Sequence, residues 1–119
     1  MELHDCEAAA LNDLGRVQEL MRRAVQAAGA TVVGEAFHRY APHGVTGVLV
    51  LEESHFSVHT WPEAGYAALD FYTCGALDPE PAARVVAEGV GARRGTLLEV
   101  ARGLDEAAGA LAVSRCFTW

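Results

Sequence analysis

From Leu11 to Ala28 the apolar positions Leu11, Leu14, Val17, Met21, Ala24 and Ala28 recur three and four residues apart, with Arg16, Arg22 and Arg23 between them. That spacing lines one stripe of a helix and predicts an amphipathic helix over Leu11–Ala28, with Gly29 to end it. The pattern then shortens. Thr31-Val32-Val33 opens a strand that continues through Phe37-His38-Arg39-Tyr40 to the breaker group Pro42-His43-Gly44, and Val45–Leu51 reads as a second strand. Ser54–Thr60 is β-prone, Trp61–Gly65 carries turn chemistry, and Tyr66–Tyr72 reads as the next strand. Asp78 as N-cap with Pro79 at the first helical position predicts a second helix through Ala83, Val86 and Val90, and Thr96–Val100 supplies a last strand. An antiparallel sheet with two helices on one face is the expected architecture, a two-layer α+β sandwich. Asp105–Ser114 is Ala-rich with weak periodicity, and Phe117 and Trp119 are expected to pack on the sheet or on a second subunit.

A length of 119 residues and a mass of 12.6 kDa suit one domain, taken as 1–119. The chain is 51% hydrophobic and 21% charged, without repeats or low-complexity runs, which predicts a globular chain. No apolar stretch approaches the roughly 18 residues of a membrane span, and the start Met1-Glu2-Leu3-His4-Asp5 is unlike a secretory signal. A cytoplasmic location and no membrane partner are expected. The net charge of −7 argues against a binder of nucleic-acid backbone. Cys6, Cys74 and Cys116 are odd in number and widely spaced, with no Cys-x-x-Cys pair, and read as reduced thiols. All nine basic residues are arginine; without lysine the chain cannot hold pyridoxal phosphate as a lysine Schiff base.

The reactive side chains gather in Glu53-Ser54-His55-Phe56-Ser57-Val58-His59-Thr60-Trp61-Pro62-Glu63 and Asp70-Phe71-Tyr72-Thr73-Cys74-Gly75. The Ser54 hydroxyl lies beside its own upstream peptide bond. Attack on the Glu53 carbonyl would turn that amide into an ester, given a strained backbone and a stabilised oxyanion. Removal of the Ser54 Cα proton would then expel the Glu53 carboxylate and leave dehydroalanine, which hydrolyses to a pyruvoyl group, with His59 as the natural base. Side chains five residues apart in a regular strand point to opposite faces, so Ser54 and His59 meet only if the segment bends or the chain breaks at Ser54. Other readings exist for single residues. His38, His55, His59 and Cys74 could form a zinc site, although their spacing matches no compact ligand motif. Thr46, Ser57 and Thr60 read as ordinary sheet hydroxyls. Tyr40, Trp61 and Tyr66 read as core aromatics by default, and a strand-end aromatic beside a reactive site could stack on a heterocycle.

In combination, Phe37-His38-Arg39-Tyr40, Pro42-His43-Gly44-Val45-Thr46-Gly47-Val48, Glu53-Ser54-His55 through Trp61-Pro62-Glu63, and Gly65-Tyr66-Ala67-Ala68-Leu69-Asp70 through Cys74-Gly75 carry a resemblance. Over about Ala30–Gly75 the chain resembles the short prokaryotic class of S-adenosylmethionine decarboxylase, a pyruvoyl-dependent enzyme family of polyamine synthesis. The flanking helices agree in pattern only. Family members usually carry a longer first strand before a motif resembling Leu3-His4-Asp5-Cys6, so either a short first strand or a misassigned start is expected here, and the segment after Gly103 matches no family motif.

The resemblance implies a proenzyme that splits between Glu53 and Ser54 into a 53-residue β chain and a 66-residue α chain (119 − 53) that begins with pyruvoyl. His59 matches the processing base, and Thr46 stands where the family usually has a serine that assists processing. Cys74 matches the residue that protonates the substrate carbon after carbon dioxide leaves. Tyr40 stands at the usual phenylalanine that stacks on adenine, Glu63 matches the carboxylate that holds the ribose hydroxyls, and Trp61, two residues before Glu63, is expected as a further substrate-binding aromatic. The family reaction condenses the substrate amine with pyruvoyl, and the conjugated imine accepts the electrons released as carbon dioxide departs. A homodimer of αβ protomers is implied as well. Two rivals stand beside this expectation: a pyruvoyl decarboxylase of a free amino acid such as ornithine or arginine, and an unprocessed regulatory subunit.

Overall fold

A computed structural model of the chain describes residues 1–74, 77–102 and 112–118. Its strands are β1 (Glu2–His4), β2 (Val32–Arg39), β3 (Val45–Leu51), β4 (Ser54–Trp61), β5 (Tyr66–Thr73), β6 (Arg94–Val100) and β7 (Ala112–Thr118), and its helices are α1 (Ala8–Leu11), α2 (Leu14–Ala28) and α3 (Glu80–Gly89). The seven strands form one sheet of order β2-β3-β4-β5-β1-β6-β7, with every neighbouring pair antiparallel. This is the expected α+β sandwich.

Strand alternation divides the sheet into a core face and an open face. Val45, Leu49 and Leu51 of β3, Phe56 and Val58 of β4, Ala67 and Leu69 of β5 and Leu3 of β1 form one buried cluster with Leu11, Val17, Leu20, Met21, Ala24, Val25, Ala82, Val86 and Ala87 of the helices. Burying a side chain the size of Phe56 or Leu49 contributes about 1.5–3 kcal/mol, enough to fix the register, because a one-residue slip would turn the whole set outward. Gly47 enforces a close approach within that layer: a Cβ there would meet the Phe37 ring at 2.2 Å.

The single helix expected over Leu11–Ala28 is two. Asn12 closes α1, and Asp13 starts α2 afresh by accepting the Arg16 N–H at 3.0 Å. Gly29 ends α2 at φ 76°, as expected. The second helix starts at Glu80, one residue later than expected, with Pro79 at the cap and the Asp78 carboxylate accepting the Glu80 N–H at 2.9 Å. The strands β1 and β7 were not foreseen from periodicity, three residues being too few to show a period and the segment before β7 too uniform. Gly75, most of the Ala-rich stretch and Trp119 lie outside the described residues.

Candidate active site

Leu51 pairs with Ser54 across the two-residue turn Glu52-Glu53, so the Glu53–Ser54 bond sits at the tip of the β3–β4 hairpin. Three backbone groups pin that tip. The Glu52 N–H donates to the Thr31 carbonyl at 3.0 Å, the Thr31 N–H donates to Glu53 Oε2 at 3.1 Å, and the Cys74 N–H donates to the Glu53 carbonyl at 3.2 Å. Ser54 itself has φ 144°, a conformation that side-chain-bearing residues rarely adopt and that costs on the order of 1–3 kcal/mol. Its Oγ lies 3.2 Å from His55 Nδ1. A carbonyl with a fixed donor, a strained Cα and a hydroxyl beside an imidazole are the parts that an amide-to-ester shift requires.

Cys74 follows the end of β5 and is exposed. It opens on a groove of about 1210 Å³ lined by His55, Asp70, Tyr72, Leu77, Leu98 and Arg102 among others. The groove exists because β1 pairs with β5 only at Ala67 and Ala68 and with β6 only as far as Thr96, leaving the rest of both strands facing each other without a strand between them. On its floor His55 stacks on Tyr72, ring centroids 5.6 Å apart and planes within 10°.

The other residues stand at the far end of β4. Thr46 and His59 are register partners on the open face, and Thr46 Oγ1 lies 2.9 Å from His59 Nδ1. That contact fixes the imidazole's orientation and leaves Nε2 free of any described partner among the described residues. His59 neighbours Trp61 at 6.3 Å, Trp61 packs on Tyr66 at 5.1 Å, and Tyr66 stacks on His4 at 5.1 Å. The Tyr66 hydroxyl donates to the Glu2 carboxylate, which pushes its pKa up to about 12. Tyr40 lies just past β2, its N–H donating to Gly44 O at 2.8 Å, and Glu63 lies in the 3-10 turn Pro62–Ala64, its Oε2 3.0 Å from His43 Nε2.

The structure thus brings the sequence-predicted residues together in two groups rather than one: Glu53, Ser54 and Cys74 at one end of β4, and Tyr40, Thr46, His59, Trp61 and Glu63 at the other. Because β4 runs unbroken and in register with β5 from Ser54–Thr73 to Trp61–Tyr66, Ser54 and His59 lie about 16 Å apart at the usual strand rise. The bend that would have joined them is absent from this strand. Tyr40 and Trp61, read as core aromatics by default, are 46% and 41% exposed, since both sit at strand ends beyond the cover of the helices. Thr60 is more than a sheet hydroxyl: it is buried, accepting the Val45 N–H and donating to Leu11 O, each at 2.8 Å. For the zinc alternative, no group of three or more His, Cys, Asp and Glu is placed to hold a metal among the described residues.

Two site groups escaped the sequence reading. His55 was visible beside Ser54 but its contact with Oγ depends on the unusual Ser54 backbone. The Cys74 N–H on Glu53 has no side-chain signal at all.

Comparison with known proteins agrees with the geometry. Residues 1–103 match the family profile described as S-adenosylmethionine decarboxylase. The chain is 47% identical over 104 residues to the S-adenosylmethionine decarboxylase proenzyme of Carboxydothermus hydrogenoformans, covering 87% of this chain and 82% of that one. It is 45% identical over 105 residues to the proenzyme of Pseudomonas aeruginosa, covering 87% of this chain and 66% of that one. In three dimensions it is similar to the crystal structure of the adenosylmethionine decarboxylase from Aquifex aeolicus, with TM-score 0.71 and 27% identity over 98% of this chain and 83% of that chain. A profile match over most of the chain, close relatives of one name and a shared fold make this chain a member of the S-adenosylmethionine decarboxylase family.

Proposed function

We propose that this single-domain chain is a proenzyme that cleaves itself between Glu53 and Ser54, converts Ser54 into a pyruvoyl group, and then decarboxylates S-adenosylmethionine to the aminopropyl donor used for spermidine. The observation that carries the proposal is the hairpin tip, where the strained Ser54, its Oγ beside His55 and the Cys74 N–H on the Glu53 carbonyl coincide. The residues fit the group they would generate.

In the first step Ser54 Oγ attacks the Glu53 carbonyl carbon while His55 Nδ1 takes the hydroxyl proton, and the Cys74 N–H holds the oxygen that becomes negative. The Ser54 nitrogen leaves as an amine and the φ strain relaxes. A base then removes the Ser54 Cα proton, the Glu53 carboxylate departs with the ester oxygen, and water replaces the nitrogen of the resulting dehydroalanine as ammonia is released. His59, oriented by Thr46, is the base proposed for this step. Its distance from Ser54 in one chain supports an arrangement in which His59 of a second copy serves each Ser54. The open face carries the exposed apolar side chains Val50, Trp61, Tyr72, Leu98 and Val100, a surface suited to a homodimer.

A pyruvoyl group supplies a carbonyl that condenses with the substrate amine and draws off the electrons released when carbon dioxide leaves. Cys74 delivers the proton to the substrate carbon from the groove wall, while Tyr40, Trp61 and Glu63, which share the far end of β4 with His59, are supplied like it by the second copy: the aromatics receive the adenine and Glu63 accepts hydrogen bonds from the ribose hydroxyls. No helix among the described residues is long and apolar enough to cross a membrane, and a cytoplasmic location is proposed with that reading.

The test is an intact mass spectrum of the denatured protein with a Ser54→Ala control, followed by release of carbon dioxide from carboxyl-labelled S-adenosylmethionine, ornithine and arginine. Two fragments, the larger starting with pyruvoyl at position 54, and turnover of S-adenosylmethionine alone are expected. A single uncut chain of 12.6 kDa would overturn the reading, and turnover of a free amino acid instead would replace its substrate.

A further inference from the structure

We propose that His43 is a positioning residue for the ribose subsite, holding Glu63 in the orientation that receives the substrate's vicinal diol. This rests on the reading of Glu63 given above. The contact is His43 Nε2 to Glu63 Oε2 at 3.0 Å, between side chains that are 39% and 48% exposed. An exposed carboxylate on a one-turn helix is otherwise free to rotate, and a ligand that needs two parallel hydrogen bonds must then bear the cost of ordering it.

His43 is well placed to remove that cost because its own loop is held from several sides. The Tyr40 N–H donates to Gly44 O at 2.8 Å, the Gly44 N–H donates to Asn12 Oδ1 at 3.1 Å, and Arg39 Nε donates to Asn12 O at 3.1 Å. Gly44 has φ 105°, and a Cβ on it would meet Thr60 O at 3.0 Å, so the loop lies tight against β4. The same loop carries Tyr40, so one rigid unit ties the carboxylate to the aromatic that would stack on the base. Among the described residues only one Glu63 oxygen is engaged, which leaves Oε1 and the outer lone pair of Oε2 for two hydroxyls. An Nε2–H donor makes this contact with the ring neutral or charged, and a glutamine at position 43 could place an N–H at a similar reach.

The experiment compares binding of adenosine and 2′,3′-dideoxyadenosine to the self-cleaved protein by calorimetry, in wild type, His43→Gln, His43→Met, His43→Ala and Glu63→Ala. Met has the length of Gln without a donor, and the extent of self-cleavage reports folding in every variant. Wild type is expected to prefer adenosine; His43→Met and His43→Ala should cut that preference about tenfold, a charge-assisted hydrogen bond's worth of discrimination, while His43→Gln keeps it within about threefold. The KM for substrate should rise in parallel with kcat little changed. If the Met and Ala variants discriminate like wild type while Glu63→Ala does not, His43 has no positioning role and Glu63 keeps its own. If Glu63→Ala also discriminates like wild type, the ribose reading of Glu63 fails and the role of His43 falls with it.

Discussion

The backbone N–H of Cys74 donates to the carbonyl oxygen of Glu53 at 3.2 Å. On the proposed reading one residue serves two reactions: its main chain donates to the carbonyl that Ser54 would attack, and its side chain lines the groove where substrate would react. Substitutions can separate the two roles. Cys74→Ala keeps the N–H and should cleave itself at a rate within a few-fold of wild type while losing most decarboxylation. Cys74→Pro deletes the N–H and should slow cleavage by roughly 10²–10³-fold, the usual effect of removing one oxyanion donor. A time course of fragment masses after expression, read beside carbon dioxide release, checks both.

The Thr46–His59 contact at 2.9 Å makes a second separation possible. Thr46→Ser preserves the hydroxyl and should process normally, whereas Thr46→Val removes it and should slow pyruvoyl formation about tenfold, in line with loss of one orienting hydrogen bond. His59→Ala should stop at the ester. Hydroxylamine would then split the chain at Glu53–Ser54 under mild conditions, and a chain resistant to it would exclude His59 from the elimination step.

The separation of Ser54 from His59 along β4 predicts complementation between two defective copies. In a mixed dimer of Ser54→Ala and His59→Ala chains, one site has both an intact Ser54 and an intact His59 from opposite copies. Co-expression should therefore yield cleavage of the His59→Ala chain only, which the fragment masses identify. No cleavage in the mixed sample would place the base in the same chain as the nucleophile.

Thr60 links β3, β4 and the end of α1 through one buried hydroxyl. Thr60→Val keeps the shape and strands the Val45 N–H and the Leu11 carbonyl, a loss of about 2–4 kcal/mol. Urea unfolding in the uncleaved Ser54→Ala background measures it on a continuous chain; a change below about 0.5 kcal/mol would mean that water replaces the hydroxyl.

Burial pushes the Cys6 thiol up from 9.0 to about 11, with the Asp5 charge adding to the effect. The folded state thus favours the neutral thiol more than the unfolded state does. Its contribution is fully present below about pH 9 and is lost as pH rises through about 11. Urea midpoints should fall across that window in wild type, and less steeply in Cys6→Ala. The Tyr66 phenol, raised from 10.0 to about 12, adds its own loss at higher pH and is common to both proteins.

The strands from Val45 to Tyr72 were legible because their alternation and turn residues are local signals, and the structure places β3 at the expected bounds and β4 and β5 within a residue of them. The break at Asn12-Asp13 was not, because an apolar period runs across it and only the engagement of Asn12 with Gly44 and Arg39 shows why the chain turns there. The insertion of β1 between β5 and β6 was equally invisible, being decided by long-range pairing of three residues.

By itself the sequence determined which reactive groups this protein has, which face of each central strand carries them, and the family to which they belong, since side-chain identity and period-two alternation are properties of the chain alone. The tertiary structure decided which of those groups meet. Register across β3, β4 and β5 is fixed by the buried face, and that register puts the Cys74 N–H on the Glu53 carbonyl, pairs Thr46 with His59, and holds His59 about 16 Å from Ser54 at the usual strand rise.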